Sequence, residues 1–458
     1  MTGVVERLRA AGMSERESNA KGALFARCAE ALTHTGLPEP FACFVPGRIE
    51  VLGKHTDYAG GRSLLCAMER GFAVMATPRD DARVRVVDTQ GGTVRELAFA
   101  PDARAERGDW SNYVATVIRS LTRNFPEARR GADIAFASDL PASSGMSSSS
   151  AMVIAMFLAL DAVNDLTSGA AFQNVITSRE ALAGYLGAVE NGRSYGPLVG
   201  DTGVGTLGGS QDQTAILCCR AGVLSQYAFC PVRAEGEIPV PSSLTFVVAY
   251  SGVAASKTSN ALHQYNEAAL AVSEILSEWN AANGRNDAAL ADAIASAPEA
   301  PSRIRALIGN SQSAAFTPQR LLDRLEQFVT ESYEVIPLAV AAFARNDMIA
   351  LGGLVARSQR GVETLLGNQV PETIGLVRLA REHGAHASSA FGAGFGGSVW
   401  ALVPADRADA FTVEWRAAYG TEFPDAAQRS EFFATVPGPG AVRLTGPHVS
   451  HLLHGVLS

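Results

Sequence analysis

The chain has 458 residues, 47% of them apolar and 18% charged. That length exceeds what one ordinary hydrophobic core organises and predicts two domains. A formal net charge of −8 excludes a surface built for nucleic acid or for anionic membranes, so any anionic ligand must be held by local donors and a metal.

The six cysteines (Cys28, Cys43, Cys66, Cys218, Cys219 and Cys230) show no Cys-x-x-Cys spacing and sit mostly in apolar runs. Such cysteines behave as small buried hydrophobes, and a reducing, cytoplasmic setting is expected rather than a disulfide framework. The charged, helix-patterned first 32 residues do not read as a signal peptide. The longest apolar run, Ala151 to Leu160, is too short to span a bilayer. A monomer or weak homo-oligomer with no membrane and no nucleic-acid partner is expected.

In chain order, an amphipathic helix is broken by Gly12 and restarts near Ser14. A strand over Phe41 to Val45 leads to a strand-like run, Ile49 to Leu52. Lys54, His55, Thr56, Asp57 and Tyr58 then crowd one loop that turns at Gly60 and Gly61. Donors and acceptors of every type in one loop suit a polyhydroxylated ligand, although an ordinary solvated turn is the alternative. Further strands are predicted at Gly71 to Thr77 and Arg83 to Val87, with Arg79, Asp80 and Asp81 between them as a hairpin signal. Trp110 to Leu121 reads as a helix and Ala132 to Ala137 as a strand.

Asp139 to Phe157 is the segment around which the chain is organised. One proline, one glycine and six serines sit between that strand and an apolar helix. A helix-opening turn aims several N–H groups and the positive end of the helix dipole at one spot, which suits phosphate. Ser147 to Ser150 are also what caps a helix. The turn is not of the Walker type, because no Gly-Lys-Ser/Thr follows its glycine.

Glu180 to Tyr195 reads as a helix and Gly196 to Gly209 as a flexible loop. Asp212 follows, ahead of a strand-like run from Ala215 to Leu217, either as a helix or turn cap or as a base or orienting group aimed at a substrate hydroxyl. The Pro/Ser-rich stretch near residue 240 marks the boundary between domains 1–240 and 241–458. Beyond it come a strand at Leu244 to Tyr250 and helices at Ser259 to Asn280, Pro318 to Arg345, Asp347 to Leu366 and Glu372 to His383. The Ala-rich stretch Asn286 to Ala300 is expected to be a rim helix. A glycine-rich loop then precedes the strand Ser398 to Val403, and either packs on another loop or supports phosphate. His448, His451 and His454 recur every three residues with no acidic or cysteine partner, a poor metal set.

Three of these stretches resemble the signature motifs of the GHMP small-molecule kinases, in particular the galactokinase branch. Pro46-Gly-Arg-Ile-Glu-Val-Leu-Gly-Lys-His-Thr-Asp-Tyr-Ala-Gly-Gly61 is similar to that branch's Gly-Arg-Val-Asn-Leu-Ile-Gly-Glu-His-Thr-Asp-Tyr. Leu140 to Ala151 resembles the nucleotide loop, and Phe391 to Ser398 the Gly-Ala-Gly-Phe-Gly-Gly loop. Order and separation fit over nearly the whole chain.

The resemblance implies an α+β, two-domain GHMP kinase architecture, with an S5-like N-terminal and a ferredoxin-like C-terminal domain. It implies ATP and Mg2+ as cofactors and a small-molecule sugar as acceptor, phosphorylated at its anomeric hydroxyl. Asp212 matches the catalytic aspartate, and Arg48 the arginine that would favour its charged form and stabilise the transferring group. Ser143, Ser144, Gly145, Met146, Ser147, Ser148 and Ser149 match the triphosphate loop, and Ser149 and Glu190 the magnesium ligands. Lys54, His55, Thr56, Asp57 and Tyr265 fall at sugar-binding positions.

Three departures stand out. Lys54 replaces the usual glutamate, so either a uronic acid such as galacturonate is the substrate or Lys54 pairs with an acid such as Glu50 and leaves the pocket. The span from Glu190 to Asp212 is longer than usual. Ser143 and Ser144 stand where small residues are common. A sugar sensor that binds without turnover is the alternative of another class.

Overall fold

The computed structural model describes residues 2–32, 40–106, 108–255 and 259–445; the three C-terminal histidines lie outside them. The described residues form twelve strands in two sheets. These are β1 (Phe41–Leu52), β2 (Arg62–Pro78), β3 (Arg83–Asp88), β4 (Val94–Ala98), β5 (Ala132–Ser138), β6 (Val223–Ala228) and β7 (Arg233–Pro239). They continue with β8 (Leu244–Tyr250), β9 (Ala387–Phe391), β10 (Ser398–Pro404), β11 (Glu431–Thr435) and β12 (Val442–Thr445).

The first sheet runs β12-β1-β2-β5-β3-β4, with β6 and β7 continuing from the near end of β2. Side chains alternate across it, as a pleated strand requires. Phe41, Cys43, Val45, Val74 and Ile134 pack under the helix Ser148–Asn164. Ala42, Phe44, Ala73, Met75 and Ala135 pack under the N-terminal helices. Burial on both faces explains why the central strands read as unbroken apolar runs.

Three local expectations change. Arg79 to Asp81 does not close a hairpin: β5 lies between β2 and β3, antiparallel to the first and parallel to the second. Ala215 to Leu217 belongs to the helix Gln211–Cys218, so Asp212 stands in a first helical turn. A run of three apolar residues has no period to read, and helix packing decided it. The single rim helix is split into Leu290–Ala295 and Ala300–Ile308.

The second sheet, β11-β8-β10-β9, is wholly antiparallel. Val247, Val399 and Ala401 face the helices Pro371–Glu382 and Ala408–Glu422. Phe246, Val248, Trp400 and Leu402 turn the other way and join the apolar cluster of the first sheet.

Candidate active site

A bulge on either side of Arg48 to Glu50 interrupts the β1–β2 ladder. Bulges re-aim side chains, and here Arg48 and Glu50 face one cavity while Ile49 and Val51 enter the core. The cavity measures about 480 Å³. Its wall includes residues from all three motifs, from the first turn of Gln211–Cys218 and from the long helix beginning at Ser259.

Arg48 ties these pieces together. Its Nε donates to Asp212 Oδ1 at 2.8 Å, and its Nη1 to the Gly145 carbonyl at 2.7 Å. Its guanidinium also lies 5.6 Å from the Phe391 ring centroid. Charge-assisted bonds of this kind are short and strong, and they fix three otherwise separate segments.

The serine turn is not an ordinary cap. Ser147 precedes the first helical residue with φ 64° and makes no side-chain capping bond. The hydroxyls of Ser144 and Ser147 are buried at the cavity with no hydrogen-bond partner. Two orphan hydroxyls beside a helix N-terminus fit a phosphate chain, which would satisfy them. The glycine-rich loop buttresses this turn: Ser398 Oγ donates to the Ser144 carbonyl at 2.7 Å, and a Cβ on Gly392 would sit 2.7 Å from the Gly145 carbonyl. Of its two predicted roles, the structure shows packing on another loop.

Glu190 lies across the cavity and accepts from Ser150 Oγ at 2.7 Å and from Gln213 Nε2 at 2.6 Å. Ser149 also lines the cavity. No cluster of three or more His, Cys, Asp or Glu side chains among the described residues could hold a metal by itself. A single carboxylate and a hydroxyl suit magnesium, a hard ion that takes its remaining oxygens from phosphate and water.

His55, Asp57 and Tyr265 line the other end. Asp57 Oδ2 accepts the Gln211 N–H at 3.0 Å, and burial raises its carboxyl above the usual range. Burial, assisted by the Arg324 charge, pushes His55 down to about 4, so its imidazole is neutral at pH 7. Glu50 is pushed up to about 7, chiefly by burial and against the pull of Arg48 and Lys54. Its Oε2 accepts from Gln211 Nε2 at 2.6 Å, while Oε1 has no partner.

Three predicted residues do not line the cavity. Met146 is core. Thr56 bonds the Gly53 and Arg62 carbonyls and closes its own turn. Lys54, 1% exposed, runs beneath the loop and donates to Ser358 Oγ at 3.2 Å. It leaves the pocket, and the partner it meets is Ser358.

Several residues escaped the sequence reading. Trp110, Tyr113, Phe72 and Phe136 form an aromatic end beyond the serine turn. Only the repeated aromatics of Trp110 to Tyr113 hinted at it. Asn191 accepts from Thr206 Oγ1 and the Gly208 N–H, both at 2.8 Å, and so holds the loop that walls the cavity. That long loop is also tied to the helix Ser111–Asn124 by the Arg119–Asp201 ion pair and by two Asn124 bonds to Val199.

Comparisons with known proteins bear on the chain's family and fold. The galactokinase galactose-binding signature matches residues 33–78. The GHMP kinase N-terminal domain matches 112–198 and the GHMP kinase C-terminal domain 339–421. Galactokinase of Chloroflexus aurantiacus is 29% identical over 378 residues, covering 82% of this chain and 87% of the relative. Galactokinase of Actinobacillus pleuropneumoniae serotype 5b is 28% identical, over 81% of this chain and 87% of the relative. The crystal structure of Lactococcus lactis galactokinase complexed with galactose has the same fold, with a TM-score of 0.75, 23% identity, and 93% and 100% of the two chains covered.

Serine turn, arginine–aspartate pair and α+β architecture together suit a small-molecule kinase that uses ATP, and the chain carries segments that match the N- and C-terminal domains of the GHMP kinases. Its galactose-binding signature and its galactokinase relatives make it similar to the galactokinase branch in particular.

Proposed function

We propose that this protein transfers the γ-phosphoryl group of ATP to the anomeric hydroxyl of galactose, giving ADP and galactose 1-phosphate. The observation that carries the reading is the double engagement of Arg48, which holds Asp212 with one nitrogen and the nucleotide loop with another. One side chain thereby sets the spacing between the hydroxyl to be phosphorylated and the phosphate.

Phosphoryl transfer asks a protein mainly for positioning and charge neutralisation. In this reading Asp212 accepts the proton of the anomeric hydroxyl, and Arg48 steadies the charge that develops between donor and acceptor. His55, Asp57 and Tyr265 receive sugar hydroxyls, with His55 Nε2–H occupied by the Ala393 carbonyl at 3.2 Å. Ser143, Ser144, Gly145, Ser147, Ser148 and Ser149 cradle the triphosphate, and the aromatic end takes the base. Ser149 and Glu190 would hold magnesium, which would supply charge neutralisation along the triphosphate. A cytoplasmic location accords with this chemistry and with cysteines that are free among the described residues.

An ADP-release assay across a panel of sugars tests the reading, with galactose expected as the preferred acceptor. Asp212→Asn is expected to lower kcat by at least about 10²- to 10⁴-fold while nucleotide binding persists. Sugar binding without ADP release for every sugar would make the protein a sensor instead.

A further inference from the structure

In the loop that would receive the sugar, Thr56 closes the turn, but residues 53 to 55 are also held from outside it. Gly53 and His55 have φ of 111° and 56°, and a left-handed histidine persists only where its surroundings over-determine it. The restraints come from the helix Pro318–Val329 and the π-helical turn Thr330–Val335 that continues it. Glu331 Oε1 accepts the Gly53 N–H at 2.7 Å. Gln327 Nε2 donates to the Lys54 carbonyl at 3.1 Å, and Arg324 Nη2 donates to the His55 carbonyl. Backbone polar groups of three consecutive residues are therefore gripped by side chains at helix positions i, i+3 and i+7, which share one face.

The grip is internally braced. Arg324 Nη1 donates to Gln327 Oε1 at 2.6 Å, and Arg324 Nη2 also reaches the Tyr58 hydroxyl at 3.3 Å. That hydroxyl lies 3.0 Å from His55 Nδ1. Because His55 Nε2 faces a carbonyl, Nδ1 is the acceptor, and the chain Arg324, Tyr58, His55 fixes the ring's tautomer as well as its tilt. Lys54 closes the set, donating to Ser358 Oγ, which donates to Glu331 Oε1 at 3.0 Å. Arg324 and Lys54 are 0% and 1% exposed, so each ionic group is buried where misplacement is costly.

We infer that Arg324, Gln327 and Glu331, with Lys54 as their internal counterpart, are positioning residues that set the sugar-binding loop from a helix some 270 residues away in sequence. None of the three helix residues touches the cavity. Their action passes through the peptide groups of 53 to 55 to the side chains of His55 and Asp57. The inference rests on the reading of this loop as the sugar end of a galactose kinase.

A positioning role and a merely structural one separate in the kinetics. Gln327→Met and Arg324→Ala are expected to raise the galactose KM about 10- to 100-fold, as misplacement by an ångström does. The ATP KM should stay within about twofold of wild type, because the serine turn is braced independently by Ser398. Arg324→Lys, which keeps one donor for the His55 carbonyl, should recover part of the loss. An unchanged galactose KM overturns the inference, as does an equal rise in both KM values together with a lower melting temperature. If Arg324→Ala does not fold, Gln327→Met carries the same test. A wild-type enzyme that releases no ADP with any sugar defeats the galactose kinase reading. An active wild type with variants at wild-type galactose KM defeats the positioning role alone.

Discussion

Glu50 lines the same cavity as Arg48 and Asp212, and its carboxyl is buried with one unpartnered oxygen. A carboxyl raised to about 7 in the folded chain binds protons more readily than in the unfolded chain, against an ordinary value of 4.5. Its contribution to stability is therefore full below pH 4.5 and is lost as pH rises through 7. Glu50→Gln, which can still accept from Gln211, should leave the melting temperature unchanged near pH 4.5 and raise it by a few degrees above pH 7. A variant less stable than wild type at pH 8 would show that Arg48 and Lys54 more than compensate the burial. Lys54 makes a second case at this scale. Among the described residues lining the cavity, Arg48 is the sole Lys or Arg, and it is already engaged by Asp212 and the Gly145 carbonyl. A uronate would lack a second cation there, so galacturonate should be a poor acceptor. Lys54→Met should leave the galactose-to-galacturonate ratio within about twofold of wild type, since the ammonium faces Ser358. Loss of a pre-existing uronate activity in that variant would put Lys54 back in the substrate site.

Loops and helices meet so closely at this site that two glycines distinguish the two ends of the cavity. A Cβ on Gly209 would lie 2.4 Å from Asp57 Oδ2, and one on Gly392, at φ 84°, 2.7 Å from the Gly145 carbonyl. Gly209→Ala should therefore raise the galactose KM, and Gly392→Ala the ATP KM, with about 1–3 kcal/mol of backbone strain added in the second case. Steady-state titration of each substrate checks the pair, and the opposite pattern would exchange the two ends. These elements were unequally legible in the sequence. The polar crowd from Lys54 to Tyr58 and the serine turn are local signals, since the residues that make each feature are adjacent in the chain. The place of β5 between β2 and β3 was not legible, because the turn residues 79–81 look the same whether the strands pair directly or admit a third. Nor was the grip of Arg324 and Gln327: on an amphipathic helix they read as polar positions, and nothing local says that they are buried against a loop made far earlier.

At the scale of the whole molecule, the predicted boundary near residue 240 separates β1–β7 from β8–β11 in chain order, yet β12 returns to pair with β1. The largest apolar cluster runs without a break from Val45 and Phe157 in the first half to Phe246, Val335, Leu351 and Trp400 in the second. The Arg324 helix grips the first motif, and Ser398 braces the serine turn. A chain ending at residue 240 would lose β12, expose one wall of that cluster and free residues 53 to 55 from the restraints of the Arg324 helix. Exposed apolar surface at about 25 cal/mol per Å² is a large loss for a fold whose net stability is only about 5–15 kcal/mol. The fragment 1–240 should therefore lack a cooperative thermal transition and should not bind ATP, although it carries Arg48, Asp212 and the whole serine turn. The 458-residue chain should melt in a single transition in which galactose and ATP each raise the midpoint, because either ligand stabilises a core that both sheets share. Circular dichroism and calorimetry on the two chains decide it: a fragment that melts cooperatively and binds nucleotide would mean that the first sheet folds without the second.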